Sequence, residues 1–186
     1  LDFNGNKGIA TSIGHAPVSA LIKPKSGSQL SIAEALTNLV WAPIEQGLKG
    51  VSLSANWMWP AKNEGENARL YDAVEAVSDF AIELGINIPT GKDSLSMVQK
   101  YPDGEKVFAP GTVIISAAGE AKDIRKVVEP TLKPEINSQL IYINMANDSF
   151  ELGGSSFAQT RNQLGNTAPE IKDAKHFTEA FETVQQ

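Results

Sequence analysis

Leu70, Val74, Val77, Ala81 and Leu84 recur every three or four residues. That period puts them on one face of a helix and predicts one from about Ala68 to Leu84, with Gly85 suited to its C-terminal cap. A second helix is predicted from about Gln29 to Ala42. Ile32, Leu36, Leu39 and Val40 form its core stripe, Ser28 is its expected cap, and Pro43 stops it. Val18 to Ile22, Val51 to Trp59, Lys92 to Lys100 and Val113 to Ala118 read as strands. Residues 61–67 are a polar loop. Pro89-Thr90-Gly91 and Tyr101-Pro102-Asp103-Gly104 are expected to turn the chain. Beyond a charged stretch from Glu120 to Gln139, interrupted by Pro130 and Pro134, Leu140 to Met145 reads as a strand. Gly153 to Leu164 reads as a helix, and Lys175 to Val184 as an amphipathic terminal helix. Mixed elements without strict alternation predict an α+β fold, and the charged stretch predicts a joint between two units.

Composition narrows the function. The 186 residues are 41% hydrophobic and 20% charged, enough for one large domain or one domain and part of another. A net charge of -6 with no basic stripe argues against a nucleic-acid partner. It leaves open a phosphorylated small ligand, which local backbone donors and metal ions can hold. No apolar run is long enough to span a membrane, so no membrane partner is expected. There are no cysteines, which excludes disulfides, thiolate metal sites and a cysteine nucleophile. The chain starts at Leu1 and ends inside a predicted helix, and reads as a piece of something longer.

Three stretches carry candidate chemistry. The predicted helix at 29–42 holds one charged residue, Glu34. Glu34 and Asn38 stand one turn apart, roughly opposite the core stripe. They are either solvated residues on a face that meets a neighbour, or oxygen ligands for a hard cation such as Mg²⁺. The second stretch, Thr90 to Met97, is not a P-loop. The spacing from Gly85 to Gly91 is one residue too long, and Asp93 stands where Ser or Thr must hold the metal. In an extended chain Lys92, Ser94 and Ser96 share one face, and Asp93, Leu95 and Met97 the other. The first face is either a solvated edge or a polar ligand surface. The third, Glu151 to Ser156, lies between a predicted strand and a predicted helix. Its Gly153-Gly154-Ser155 turn is either a geometric device or a phosphate cradle. His15 and His176 have no metal partner at helical spacing and read as structural or solvated. Trp41, Trp57 and Trp59 read as core or interface anchors.

Several ordered blocks resemble one family. Ala33-Glu34-Ala35-Leu36-Thr37-Asn38-Leu39-Val40, Leu53-Ser54-Ala55-Asn56-Trp57-Met58, the stretch from Leu70 to Met97 and Ala109 to Ala117 occur in the order expected for the synthase region of large phosphoribosylformylglycinamidine synthases. Leu152-Gly153-Gly154-Ser155 is similar to that family's Leu-Gly-Gly-Ser/Thr turn. The resemblance runs from about Pro17 to about Gly165. It implies an aminoimidazole-ribonucleotide-synthetase-like α+β domain over 1–122 (mixed sheet with flanking helices), a linker over 123–138, and the beginning of an α/β partner domain over 139–186. It implies an ATP-dependent ligase of purine biosynthesis, in which glutamine-derived ammonia converts formylglycinamide ribonucleotide to formylglycinamidine ribonucleotide. The implied cofactors are Mg²⁺ and ATP or ADP, with Glu34 and Asn38 as metal ligands. Glu34 and Asn38 are implied to anchor an auxiliary ADP instead of the reacting ATP, and Asn56, Lys92, Asp93, Ser94, Ser96, Gly153, Gly154 and Ser155 are implied to lie near the nucleotide, without assigned roles. Implied partners are nucleotide, ribonucleotide, the remainder of a cytoplasmic parent polypeptide, and a second copy of the chain. Lys23 and Gln29 depart from the pattern, standing where many relatives have Asp and Arg. The competing expectations are a related small-molecule kinase-like enzyme and a non-catalytic dimerisation module. The chain alone is expected to be inactive.

Overall fold

The computed structural model describes residues 3–135, 137–148 and 150–186; residues 1–2, residue 136 of the expected linker, and residue 149 lie outside the described residues. The element order is β1 (Gly8–His15), α1 (Pro17–Ile22), α2 (Pro24–Leu39), β2 (Val51–Met58), α3 (Glu66–Leu84), β3 (Asn87–Ser94), β4 (Val98–Lys100), β5 (Lys106–Phe108), β6 (Thr112–Ala121), α4 (Ser156–Thr160) and α5 (Ala174–Val184). Four strands form a mixed sheet in the order β1-β6-β2-β3, with β6 antiparallel to both neighbours and β2 parallel to β3. The expected α+β class is what the chain adopts.

Alternation sets the sheet's two faces. Val51, Leu53 and Ala55 of β2, and Val113, Ile115 and Ala117 of β6, point inward and are buried. They meet Ile32, Leu36 and Leu39 of α2 and Val77, Phe80 and Leu84 of α3 in one core. Gly85, with φ of 69°, closes α3 in the left-handed conformation its cap requires. Phe177 and Phe181 of α5 lie in that same core, and Phe177 meets Phe80 edge to face at 5.9 Å. Gln185 fastens α5 further. Its amide nitrogen donates to Val40 O and Ala42 O, and its oxygen accepts from Ile44 N.

Five local expectations change. Val18–Ile22 belongs to a helix, not a strand: Pro17 sits in its first turn with φ preset for helix, and the Arg69 guanidinium donates to Ala20 O and Leu21 O at its end. The second helix starts at Pro24 for the same reason, so Ser28 is buried inside it instead of capping it. Pro89-Thr90-Gly91 continues β3 instead of turning. An edge strand tolerates Pro89, and a Cβ on Gly91 would come within 2.7 Å of Ala55 O. Leu140 to Met145 forms no strand among the described residues, because no neighbouring strand offers it a ladder. The helix expected over Gly153 to Leu164 shrinks to the five residues of α4.

Candidate functional site

β1 is an edge strand, and the polar face of α2 lies against its open side. His15 N donates to the Glu34 carboxylate at 2.6 Å, with the imidazole Nδ1 3.9 Å from the same oxygen. One turn on, the Asn38 amide donates to Ile13 O at 3.0 Å. The two residues thus cap backbone groups that an unpaired edge would leave bare. Burial does not force an ion on Glu34, because its side chain is 47% exposed.

Glu34 also lines a cleft of about 550 Å³, a volume within the range of small-molecule sites. One wall is the His15–Ser19 corner with Leu30, Ala33 and Thr37. The other is supplied from far along the chain by Met145, Ala146, Gly154, Ser155, Ser156 and Ile171. The fold therefore brings the Glu34 face and the Gly-Gly-Ser turn to one cavity. Asn38 stands beyond its lining, and Gly153 is buried behind the wall.

The turn is held by its own bonds. Gly153 N donates to Thr167 O, Gly154 N to Leu164 O and Ser155 N to Leu152 O. The Ser155 hydroxyl caps α4 by accepting from Ala158 N and donates to Leu152 O. A Cβ on Gly153 would reach Thr167 O at 2.3 Å. One on Gly154, whose φ is 74°, would reach Ser19 N at 2.6 Å. Close packing alone accounts for both glycines.

Of the remaining candidates, Asn56, Lys92 and Ser94 sit on the sheet face turned away from the helices. Asn56 of β2 pairs in register with Lys92 of β3. The Lys92 ammonium bonds the Ser94 hydroxyl and Asp93 O, which confirms that Lys92 and Ser94 share a face. The Asn56 amide oxygen is buried with no hydrogen-bond partner. Asp93 lies in register with Trp57 on the other face, and Ser96 is exposed beyond the strand. Neither group joins the cleft. Among the described residues no cluster of three or more His, Asp and Glu side chains could enclose a metal.

Sequence reasoning missed the strongest electrostatic feature beside the cleft, next to its lining residue Ile171. Glu170 receives Lys23, Ser26 and Lys172 on one carboxylate. The Lys23 ammonium, with Lys172 and Ser26, holds that carboxyl at about 2 against the opposing effect of burial. The departure at Lys23 was the available signal, but no local period links positions 23 and 170.

The family model of the FGAR-AT PurM_N-like domain matches residues 1–120. The chain belongs to that family. The FGAR-AT PurM_N-like region is followed here by α4 and α5, and similarity to relatives runs on through them. A probable phosphoribosylformylglycinamidine synthase of Arabidopsis thaliana, designated chloroplastic/mitochondrial, is 44% identical over 98% of this chain and 13% of its own length. The phosphoribosylformylglycinamidine synthase of Homo sapiens is 42% identical over 96% of this chain and 13% of its own. The chain thus spans about one-eighth of these relatives. In structure, phosphoribosylformylglycinamidine synthase II of Thermotoga maritima aligns with a TM-score of 0.53 at 18% identity, over 70% of this chain and 20% of that one. T. maritima PurL complexed with ATP aligns with the same score and identity, over 70% and 21%. That likeness shows the aminoimidazole-ribonucleotide-synthetase-like fold. A cytoplasmic location does not follow from the relatives, given the organellar designation of the plant one. No helix among the described residues is long and apolar enough to cross a membrane.

Proposed function

We propose that this FGAR-AT PurM_N-like region works inside an ATP-dependent phosphoribosylformylglycinamidine synthase, where its cleft takes the phosphate end of an adenine nucleotide. The parent reaction consumes formylglycinamide ribonucleotide, ATP and glutamine and yields formylglycinamidine ribonucleotide. The observation that carries the reading is the convergence of Glu34 with Gly154 and Ser155 on one cavity of nucleotide size, from positions 120 residues apart in sequence.

Mg²⁺ fits these residues as a partial ligand set. Glu34 keeps a carboxylate oxygen beyond the one that His15 N engages, and Asn38 donates through its nitrogen, leaving its amide oxygen as an acceptor. Mg²⁺ is commonly held by one or two protein oxygens, with phosphates and water completing the shell. When bound it would neutralise phosphate charge. The chain's own residues then divide the work: Glu34 holds the cation side within the cleft, with Asn38 just beyond its lining, and Gly154 and Ser155 form the facing wall, their turn kept in place by its own hydrogen bonds. Asn56, Lys92 and Ser94 form a separate polar surface on the open sheet face, with Asp93 at the strand's opposite face and Ser96 just beyond its end, and the other pseudo-symmetric half of the synthase completes that region for ribonucleotide. With half of that surface and the ammonia source elsewhere in the parent, the isolated chain makes no product.

The test is a thermal melt of the chain with Mg²⁺ and ADP. At a hundredfold excess over Kd, linkage adds about 2.7 kcal/mol, a rise of roughly 5–10 °C for a chain of this size. Glu34→Gln is expected to lose most of that rise while its ligand-free melting point stays within about 3 °C of wild type. Absence of any rise for the wild-type chain sinks the nucleotide reading and favours a module that only pairs with other domains.

A further inference from the structure

The far wall of the cleft is a strap, the irregular chain running from Phe150 to Asp173 around α4. Its legs are tied to each other: Gly153 N donates to Thr167 O and Gly154 N to Leu164 O, while Lys172 N reaches back to Ala146 O. The strap is anchored downstream, where Phe177 and Phe181 enter the core. Its tie to the opposite wall has a different character. Glu170 accepts from the Lys23 ammonium, at the corner between α1 and α2, and from the Ser26 hydroxyl at 3.1 Å, in the first turn of α2. Lys172 bonds the other carboxylate oxygen at 3.1 Å, and Glu170 N donates to Asp148 at 2.8 Å. Next along the strap, Ile171 faces the cleft.

We propose that the Glu170 carboxylate is the latch of this strap: gripped by Lys23 and Ser26 it closes the cleft wall, and when that grip is released the strap swings out about α5. The geometry favours a latch over general packing for two reasons. The grip joins segments 147 residues apart, so it closes a long loop. It is also polar and partly solvated, with the Lys23 side chain 52% exposed and that of Glu170 26%, so solvent and salt can compete for it, whereas the strap's other contacts with that wall, Gly154 against Ser19 and Ile171 against the core edge, are packing that yields only after the grip has opened. The charged groups facing the carboxylate are Lys23 from the helical corner, Lys172 from the strap itself and Asp148 from the chain just before it. Glu151 acts on Lys172 from a longer range. The low proton affinity of Glu170 keeps the latch charged at neutral pH, so salt competes with it more effectively than mild acid does. The inference rests on the strap's own ties and holds whichever ligand the cleft takes.

Hydrogen exchange of the ligand-free chain tests it. K23M and E170Q should each raise exchange of peptides within residues 150–173 by about three- to tenfold, the range expected for losing a charge-assisted bond near the surface. Peptides from α3 should not change. Because the Lys23 bond runs through the Glu170 carboxylate, K23M added to E170Q should change nothing beyond E170Q alone. An unchanged strap, additive effects, or a rise spread equally over α3 overturns the proposal. Should K23M fail to fold, the wild-type chain in 1 M NaCl gives the same reading: strap exchange rises selectively, or the latch does not exist.

Discussion

At the scale of single residues, Glu170 shows how a carboxylate takes its properties from its surroundings. Its carboxyl lies at about 2, below the ordinary 4.5, chiefly through the Lys23 ammonium. The folded chain therefore binds this proton less readily than the unfolded chain does. The stabilisation is full above 4.5 and disappears as the pH falls toward 2. Asp123, held at about 2 by Arg125 and ordinarily at 3.8, acts over a narrower window within it. Denaturant midpoints measured from pH 6 to pH 2 should fall for wild type, and Glu170→Gln should flatten that fall in part, leaving the share due to Asp123. A variant whose profile merely shifts parallel to wild type would show that Glu170 contributes no proton linkage. Glu34 makes the complementary point. Helical period alone placed it opposite the core stripe, and it is exposed there. The hydrogen bond from His15 N could not be read from that period, because it depends on β1 ending beside α2.

At the scale of elements, α5 is the clearest case of a segment secured by tertiary contacts. Its two phenylalanines enter the core under α2 and α3, and Gln185 and Glu182 hold the backbone of the turn that follows α2. Phe181→Ala is expected to cost about 3–5 kcal/mol, read as a lower denaturant midpoint, since a fully buried aromatic leaves a cavity. A loss below about 1 kcal/mol would mean that α5 packs only loosely on this core. The amphipathic period made this helix legible in the sequence, as it did α3; partial alternation made β2 legible, and a short apolar run made β6 legible. Elements set by contacts were not. Pro17 and Pro24 start helices where an apolar run suggested a strand and a serine suggested a cap. Gly91 permits close strand pairing where its type suggested a turn. Of the site, Glu34 and the Gly-Gly-Ser turn were visible as separate motifs. Their meeting in one cleft was not, because only the folded path of the strap joins them.

At the scale of the whole molecule, the stretch Leu140–Ile143 breaks the rule that strand-forming apolar residues find a partner. Leu140, Ile141 and Tyr142 are 89%, 80% and 75% exposed. Residues of this kind are β-formers that belong in a ladder, and a continuous exposed run of them marks a surface meant to be covered. The relatives are roughly eight times as long as this chain, and on the proposed reading, in which it works inside such a synthase, a sheet elsewhere in that polypeptide is the expected cover. Two measurements on one variant separate this idea from its rivals. In the isolated chain, Ile141→Lys removes no buried contact, so its melting point should match wild type, within the roughly 0.5 kcal/mol usual for surface changes. In the parent synthase the same lysine would lie inside a sheet with its charge unpaired, and both folding yield and activity should fall steeply. If Ile141→Lys destabilises the isolated chain, the stretch already packs within it and needs no cover. If the parent tolerates the lysine, the exposed run is simply surface, and residues 139–186 do not begin a further domain.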